Sequence, residues 1–388
     1  MRPPDHFPFK IETFVNPSDS LAALQEQVRQ AVAERAALVV HGGGSKAWLG
    51  PAASSAGTPR ALDMRGYAGI ISYEPTELVV TARAGTPLAE LEAALAAHGQ
   101  CLPFEPPHYA HTGAQATVGG MVAAGLSGPG RQGAGAIRDY VLGAALLDGR
   151  GEVLHFGGQV MKNVAGFDVS RLLVGSMGSL GAIVEVSLKV LPVAPAEATL
   201  VFELGKQRAL EQINAWGGQP IPIASSAWWS DGAGTDLLHV RLRGARAAVA
   251  AACGRFGGAR LDDDAAQRLW QDLREQTLPW FAPTWAQPGA AGECLWRLVV
   301  PTTTPPLKLQ GALLIEWGGA QRWIKSELPA AVMREAATEA GGHATRFRGG
   351  DSATPVFTPP AHPLERIHRD VKRAFDPHGV FPAMFADY

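Results

Sequence analysis

Cysteine is scarce: Cys101, Cys253 and Cys294 stand far apart in 388 residues and form no C-x-x-C. That spacing excludes a disulfide framework and offers no ligand set for a structural zinc or an iron–sulfur cluster held by this chain alone. Reduced thiols suit a cytoplasmic setting. An excess of one charge is missing too, with 34 basic residues against 36 acidic and a net charge of −2. This leaves no electrostatic footprint for nucleic acid or for an anionic membrane surface. The opening MRPPDHFPFK lacks the apolar core of a signal peptide. One uncharged window, Thr112 to Gly130, approaches bilayer length, but its six glycines and Pro129 argue against a span. What remains is a globular composition, 46% hydrophobic and 18% charged, with chain enough for two or three domains.

Glycine is abundant, and it is clustered. Thr117 to Gly135 (TVGGMVAAGLSGPGRQGAG) holds seven of them. Glycine costs backbone entropy, and its usual return is a tight turn or a close approach without a Cβ in the way. Val118, Met121, Val122 and Leu126 are interleaved, unlike the Gly/Ser texture of a flexible linker. With no charge up to Gly130, its donors to an anion are main-chain N–H groups, which suits a pyrophosphate. A second glycine run, His41-Gly42-Gly43-Gly44-Ser45-Lys46, follows the apolar strand Leu38 to Val40. It has Gly-Ser-Lys where a Walker loop needs Gly-Lys-Ser/Thr. Its G-x-G-x-x-A spacing lacks the following helix of a Rossmann turn, because Gly50, Pro51, Gly57 and Pro59 come next. A third run, Ser176 to Gly181, launches a strand in which Val184, Val186, Leu188 and Val190 alternate with polar residues.

The periodicity predicts helices over 21–35, over Leu88 to Leu95 (Thr86 as N-cap) and after Asp168, and a hairpin from 141–147 into 152–156. Beyond Ala194 tryptophan becomes common and glycine clusters thin out. Strands at 237–242 and 295–300, with helices at 245–256, 263–275 and 329–340, predict an α+β unit with an antiparallel sheet. A last helix from Pro363 carries the stripe Leu364, Ile367, Val371 and Phe375.

The ordered set HGGGSK (41–46), EPTELVVTARAGTPLAELEAAL (74–95), ATVGGMVAAGLSGPGRQG (116–133), KNVAGFDVSRLLVGSMGSLGAIVEVSLKV (162–190) and DPHGVFP (376–382) resembles the FAD-binding domain of the vanillyl-alcohol-oxidase and p-cresol-methylhydroxylase (PCMH) type. Within that group it is most similar to the family of smaller FAD-binding subunits of bacterial glycolate oxidase. The resemblance implies an α+β fold: a two-subdomain PCMH-type FAD domain (1–194), a smaller α+β domain with an antiparallel sheet (195–360), and a C-terminal helix and tail (361–388) returning to the FAD domain. It implies non-covalent FAD. Gly42, Gly43, Gly44 and Ser45, with Lys46 beside them, match the first pyrophosphate loop. Val118, Gly119, Gly120, Gly125, Ser127 and Gly128 match the second, and Gly178 to Ile183 the strand start at the adenine end.

It also implies a flavoprotein oxidoreductase acting on glycolate or a similar 2-hydroxy acid. Its partners would be a larger FAD-containing subunit and an iron–sulfur subunit feeding quinone, which would place it in the cytoplasm or at the membrane periphery. Alternatives stay open: a non-catalytic FAD-bearing scaffold, or a stand-alone oxidase. His41 precedes the glycines of its loop, where covalent members carry a histidine after them. The region matching the family's histidine-rich metal motif, 341–348, has His343 alone, so no metal is expected. No catalytic residue is assigned. The candidates for a carboxylate clamp are Arg131, Arg346 and Arg348, and for a base His108, His111 and His343.

Overall fold

The computed structural model describes residues 17–50, 59–158, 167–281, 284, 292–350 and 354–385. The stretch 162–166, part of the fourth motif above, lies outside them. Helix α1 (Pro17–Glu34) buries Leu24, Val28 and Ala31, one face at helical spacing. It leads into strand β1 (Leu38–His41), which pairs in parallel with β2 (Arg60–Asp63), His41 opposite Asp63. This small layer packs on an antiparallel sheet of β3 (Ile70–Glu74), β4 (Val79–Arg83), β6 (Val141–Leu147), β7 (Val153–Gly157) and β8 (Ala182–Lys189), in the order β3-β4-β8-β6-β7. Strands β5 (Gln100–Cys101) and β9 (Leu191–Pro192) form a separate short pair.

The alternation read in β8 is real, but both of its faces are largely covered. Ser187 is buried, and its hydroxyl satisfies itself on Thr81 Oγ1 at 2.8 Å. One core joins α1, both layers, α2 (Leu88–Ala96) and α3 (Val118–Ala124). Thr86 does not cap α2: that helix opens on Pro87 without a side-chain cap, while the Thr86 hydroxyl donates to Gly69 O and accepts from Gly69 N. A rigid proline turn supplies the entry, which frees the threonine to staple the neighbouring turn.

The second sheet contains β10 (Ala196–Glu203), β11 (Ile223–Ser230), β12 (Asp236–Gly244), β13 (Ala259–Arg260), β14 (Cys294–Val299), β15 (Ala312–Glu316), β16 (Gln321–Ser326) and β17 (His343–Arg348). Its order is β13-β10-β12-β11-β15-β16-β14-β17, and neighbouring strands run antiparallel throughout. One face packs under helices Lys206–Gly217, Arg246–Phe256 and Ala330–Glu339, in two clusters containing Leu238, Val240 and Leu242, and Trp296, Leu298 and Ile324. The other face presents Leu295, Leu314, Trp323 and Phe347 to Leu49, Tyr109 and Leu126 of the first unit, with Trp270 and Leu273 of helix Asp263–Glu275 beside them. The tryptophans Trp228, Trp270, Trp296, Trp317 and Trp323 are therefore core, not surface.

The C-terminal helix, His362–Phe375, comes back to the first unit. Only half of the expected stripe is used: Val371 and Phe375 pack on the first core, while Leu364 and Ile367 are exposed. The tail does the anchoring instead. Val380 and Phe381 are buried in that core, and Leu38 N donates to Val380 O at 2.8 Å. Burial of two such side chains is worth about 1.5–3 kcal/mol each. Lys372 donates to Ser179 O (2.7 Å), to Phe381 O (2.9 Å) and to the buried Asp376, which accepts in turn from Val380 N and Phe381 N. The tail is thus hydrogen-bonded to the third glycine loop. Among the described residues no helix is long and apolar enough to cross a membrane.

Candidate functional site

Each glycine loop follows or precedes a strand of the first unit, and the three converge because their backbones touch. An added Cβ on Gly43 would sit 1.3 Å from Gln115 O, and one on Gly42 would sit 2.6 Å from Thr117 Oγ1. Gly119 N donates to Ala84 O at 2.8 Å, and a Cβ there would meet the Ala84 Cβ at 2.6 Å. Thr117 caps α3 by accepting from Gly120 N at 3.2 Å, and Gly125 ends it at φ 64°. The third loop is tied to that helix by Gly175 N to Val122 O (3.0 Å) and Met177 N to Ala123 O (2.9 Å).

Between the loops lies a cavity of about 310 Å³. Gly42, Gly43, Gly44, Ser45, Lys46, Gly119, Gly120, Gly178 and Ile183 line it, with His41, Thr117 and Met177. Among the described residues no acidic side chain does. Lys46 is the ammonium of the cradle: its Nζ donates to Ser45 Oγ at 3.0 Å and lies 5.3 Å from the Tyr109 ring centre. Burial lowers its pKa to about 8, with Glu275 opposing the change. An anion placed here would find main-chain donors, one ammonium and no carboxylate in the wall.

Val118, Gly125, Ser127 and Gly128 of the second motif do not line this cavity. Val118 is core, and Gly125 leaves 3.0 Å between its Cβ position and Gly175. Ser127 Oγ accepts from Ile137 N (3.4 Å), and Gly128 lies against Glu105 O. Glu105 fastens this stretch to the second sheet. It accepts from Gly130 N (2.7 Å), Arg241 (2.7 Å) and Arg243 (3.0 Å). Burial pushes its carboxyl up, but Arg241 and Arg243 outweigh that and hold it below the usual range.

Gly44 also lines a second cavity, of about 400 Å³, whose other walls include Trp48, Thr112, Phe347 and Arg348. This gap between the two units takes in two of the predicted clamps, Arg346 and Arg348, and both are already engaged, while the predicted bases lie outside its wall. Arg346 donates to Gly349 O and to Thr354 O (2.7 Å), and Arg348 donates to Gln276 Oε1. His108 Nε2 meets Glu92 Oε2 at 2.9 Å. His111 is exposed, and Arg131 stacks 4.3 Å over the Trp317 ring.

Two charged residues on the inner face of the second sheet escaped the sequence reading. Glu316 is buried at the end of β15, accepting from Trp323 Nε1 (2.7 Å) and Gln321 Nε2 (2.9 Å). Burial raises its carboxyl to about 7. Arg297 sits mid-strand in β14, opposite Trp323 and Thr345. The signal was available: each is a charge inside an otherwise apolar strand run, LLIEW and LWRLVV.

The convergence of bare backbone on a cavity fits a dinucleotide cofactor, and the two-layer unit with its appended antiparallel sheet is a PCMH-type flavoprotein fold. A family described as an FAD binding domain matches residues 13–157. A solved structure of alkyldihydroxyacetonephosphate synthase superposes with a TM-score of 0.62 at 15% identity, over 92% of this chain and 73% of that one. Glycolate oxidase subunit GlcE of Escherichia coli (strain K12) is 46% identical over 363 residues, which span 94% of this chain and 96% of that protein. Glycolate oxidase subunit GlcD of Bacillus subtilis (strain 168) is 30% identical over 132 residues, 34% of this chain and 27% of its own. The chain belongs to the GlcE family of glycolate oxidase subunits, and its cofactor is FAD.

Proposed function

We propose that this chain is the FAD-bearing subunit of a glycolate-oxidising complex, converting glycolate or a similar 2-hydroxy acid to the 2-oxo acid. Electrons would leave through a partner iron–sulfur subunit to quinone, beside a larger FAD subunit. The observation that carries the reading is the glycine-walled cavity, in a chain 46% identical to a glycolate oxidase subunit along almost its whole length. In this assignment Gly42 to Ser45, Gly119 and Gly120 receive the pyrophosphate, Lys46 offsets part of its charge, and Gly178 and Ile183 flank the nucleotide end. Val118, Gly125, Ser127 and Gly128 hold the second loop in shape.

FAD supplies the hydride-accepting chemistry when bound. The chain must orient the acid, exclude water and take up the hydroxyl proton. Glu316, with a carboxyl near 7 in an apolar surround, is a group on the inner face able to accept a proton at neutral pH. A second reading, an FAD-bearing scaffold for a larger catalytic subunit, is favoured by the engagement of His108 with Glu92 and of Arg346 with its own loop.

One experiment separates them. The purified protein should show a flavin spectrum, and anaerobic glycolate should bleach it in the isolated chain. An unchanged spectrum in the chain, with bleaching only in the complex, selects the scaffold. A colourless chain that stays colourless after exposure to FAD rejects both.

A further inference from the structure

Arg297 is a guanidinium held in an apolar interface, with no acid beside it among the described residues. It lies between Leu295 and Val299 in β14, on the face that meets Tyr109 and Leu126. Its Nε is buried and finds no hydrogen-bond acceptor among the described residues. The guanidinium carbon lies 5.8 Å from the centre of the Phe347 ring. Burial lowers its pKa to about 10; the Tyr109 phenol opposes the change and Arg131 adds to it. That phenol brings no negative charge at neutral pH, since burial drives its own pKa above the usual 10.

The strand register brings further positive groups alongside. Thr345 stands directly opposite Arg297, and His343, two residues earlier on the same face, stands opposite Val299. Arg131 reaches the same place from the first unit, by way of Trp317 at the end of β15. Burial first, then Arg297 and Arg131, hold the His343 imidazole below its usual range, so the three groups share one electrostatic neighbourhood. Asp139 offsets Arg131, but among the described residues no carboxylate acts on Arg297. His343 is exposed and both arginines are half-buried, so the cluster opens to solvent on one side.

A cation partly desolvated in this way and left without a counter-charge gains from an anion that completes it. We infer that Arg297, seconded by Arg131, binds the carboxylate of a small hydroxy or oxo acid at the inner face of the eight-stranded sheet. This assignment rests on the proposed acid-oxidising function and names the residue that would orient the acid. A guanidinium suits the task because its planar fork matches a carboxylate in two parallel hydrogen bonds, which a lysine cannot reproduce.

Oxalate, a non-oxidisable small dicarboxylate, is the probe. It is titrated into the FAD-loaded chain by calorimetry at constant ionic strength, with FAD content and melting temperature measured on every variant. Arg297→Met should weaken oxalate by about thirtyfold or more, Arg131→Gln by about tenfold, and Arg297→Lys to a level between Arg297→Met and the native chain. Loss of affinity at unchanged FAD content supports the subsite. Oxalate affinity unchanged in Arg297→Met overturns it, even if melting temperature or flavin potential moves, because Arg297 would then be structural or face the flavin. No oxalate binding by a native chain that does carry FAD also overturns it, while leaving the FAD assignment standing. Failure to hold FAD at all refutes the underlying function instead.

Discussion

Replacing Glu316 with glutamine keeps the shape and the acceptor oxygen that Trp323 and Gln321 use, and removes only the ionisation. In the folded chain burial holds the carboxyl to about 7, against an ordinary 4.5. Below 4.5 the side chain is protonated folded or unfolded, and nothing is lost. Between these values unfolding releases a proton, so stability falls as pH rises, and above 7 the full loss is in place. A tenfold difference in proton affinity between the folded and unfolded chain is worth about 1.4 kcal/mol, so the loss at pH 8 is about 3 kcal/mol. Glutamine never ionises. Glu316→Gln should therefore match the native chain near pH 4 and exceed it by about 3 kcal/mol at pH 8. Urea unfolding of both proteins, saturated with FAD, measures this as a midpoint difference that opens with pH. A difference of the same size at both pH values, or a native chain that gains on the variant as pH rises, would refute the burial argument. Activity should move the opposite way if Glu316 accepts the substrate proton, and this separates a functional cost from a folding accident.

Gly43→Ala should cut FAD retention by about tenfold or more, because the new methyl would need the space of Gln115 O; Gly66→Ala, where nothing lies within 4 Å, is the control, and flavin absorbance per chain reads both. Glu105→Gln leaves the buried Arg241 and the half-buried Arg243 without their shared carboxylate. Since Glu197 still reaches Arg243 at 2.7 Å, the expected loss is about 3 kcal/mol, the low end for a broken buried pair, read as a lower urea midpoint. Burial lowers the Lys46 pKa to about 8, and a diphosphate beside it would hold that proton on. FAD affinity should then be flat below pH 8 and fall by up to about tenfold per pH unit above it, and Lys46→Met should abolish the slope in a fluorescence titration.

Much of the fold could be read from the chain because its signals are local. The 3.6-residue stripe of Leu21, Leu24, Val28 and Val32 and the alternation through Val184, Val186 and Leu188 depend on nothing beyond their own segments. The C-terminal stripe is local in the same way, and it is only half buried. Leu364 and Ile367 continue the helical pattern, but the helix meets the first unit only from Val371 on, and the buried tail at Val380 and Phe381 supplies the rest of the contact. Periodicity states which residues share a face, not how much of that face finds a partner.

Glycine density marks the loops that wall the cavity, but not every glycine of those loops lines it. Gly42, Gly43 and Gly119 are glycine because two loops press backbone against side chain and backbone, and the cavity exists because they do. Gly128 and Gly130 answer to a different neighbour, the Glu105 segment, which ties the glycine run to Arg241 and Arg243 of the second sheet. A sequence shows both kinds alike, since each is an absent Cβ. Arg297 and Arg131 pose the converse problem. Arg297 stands out alone only as a charge in an apolar run and Arg131 only as a cation in the glycine run, and it is the strand register of β14 and β17, with Trp317 carrying Arg131 toward it, that brings these two distant cations into one neighbourhood. The chemistry of such a site is written in which charges lack a counter-charge after folding, and that property belongs to no segment by itself.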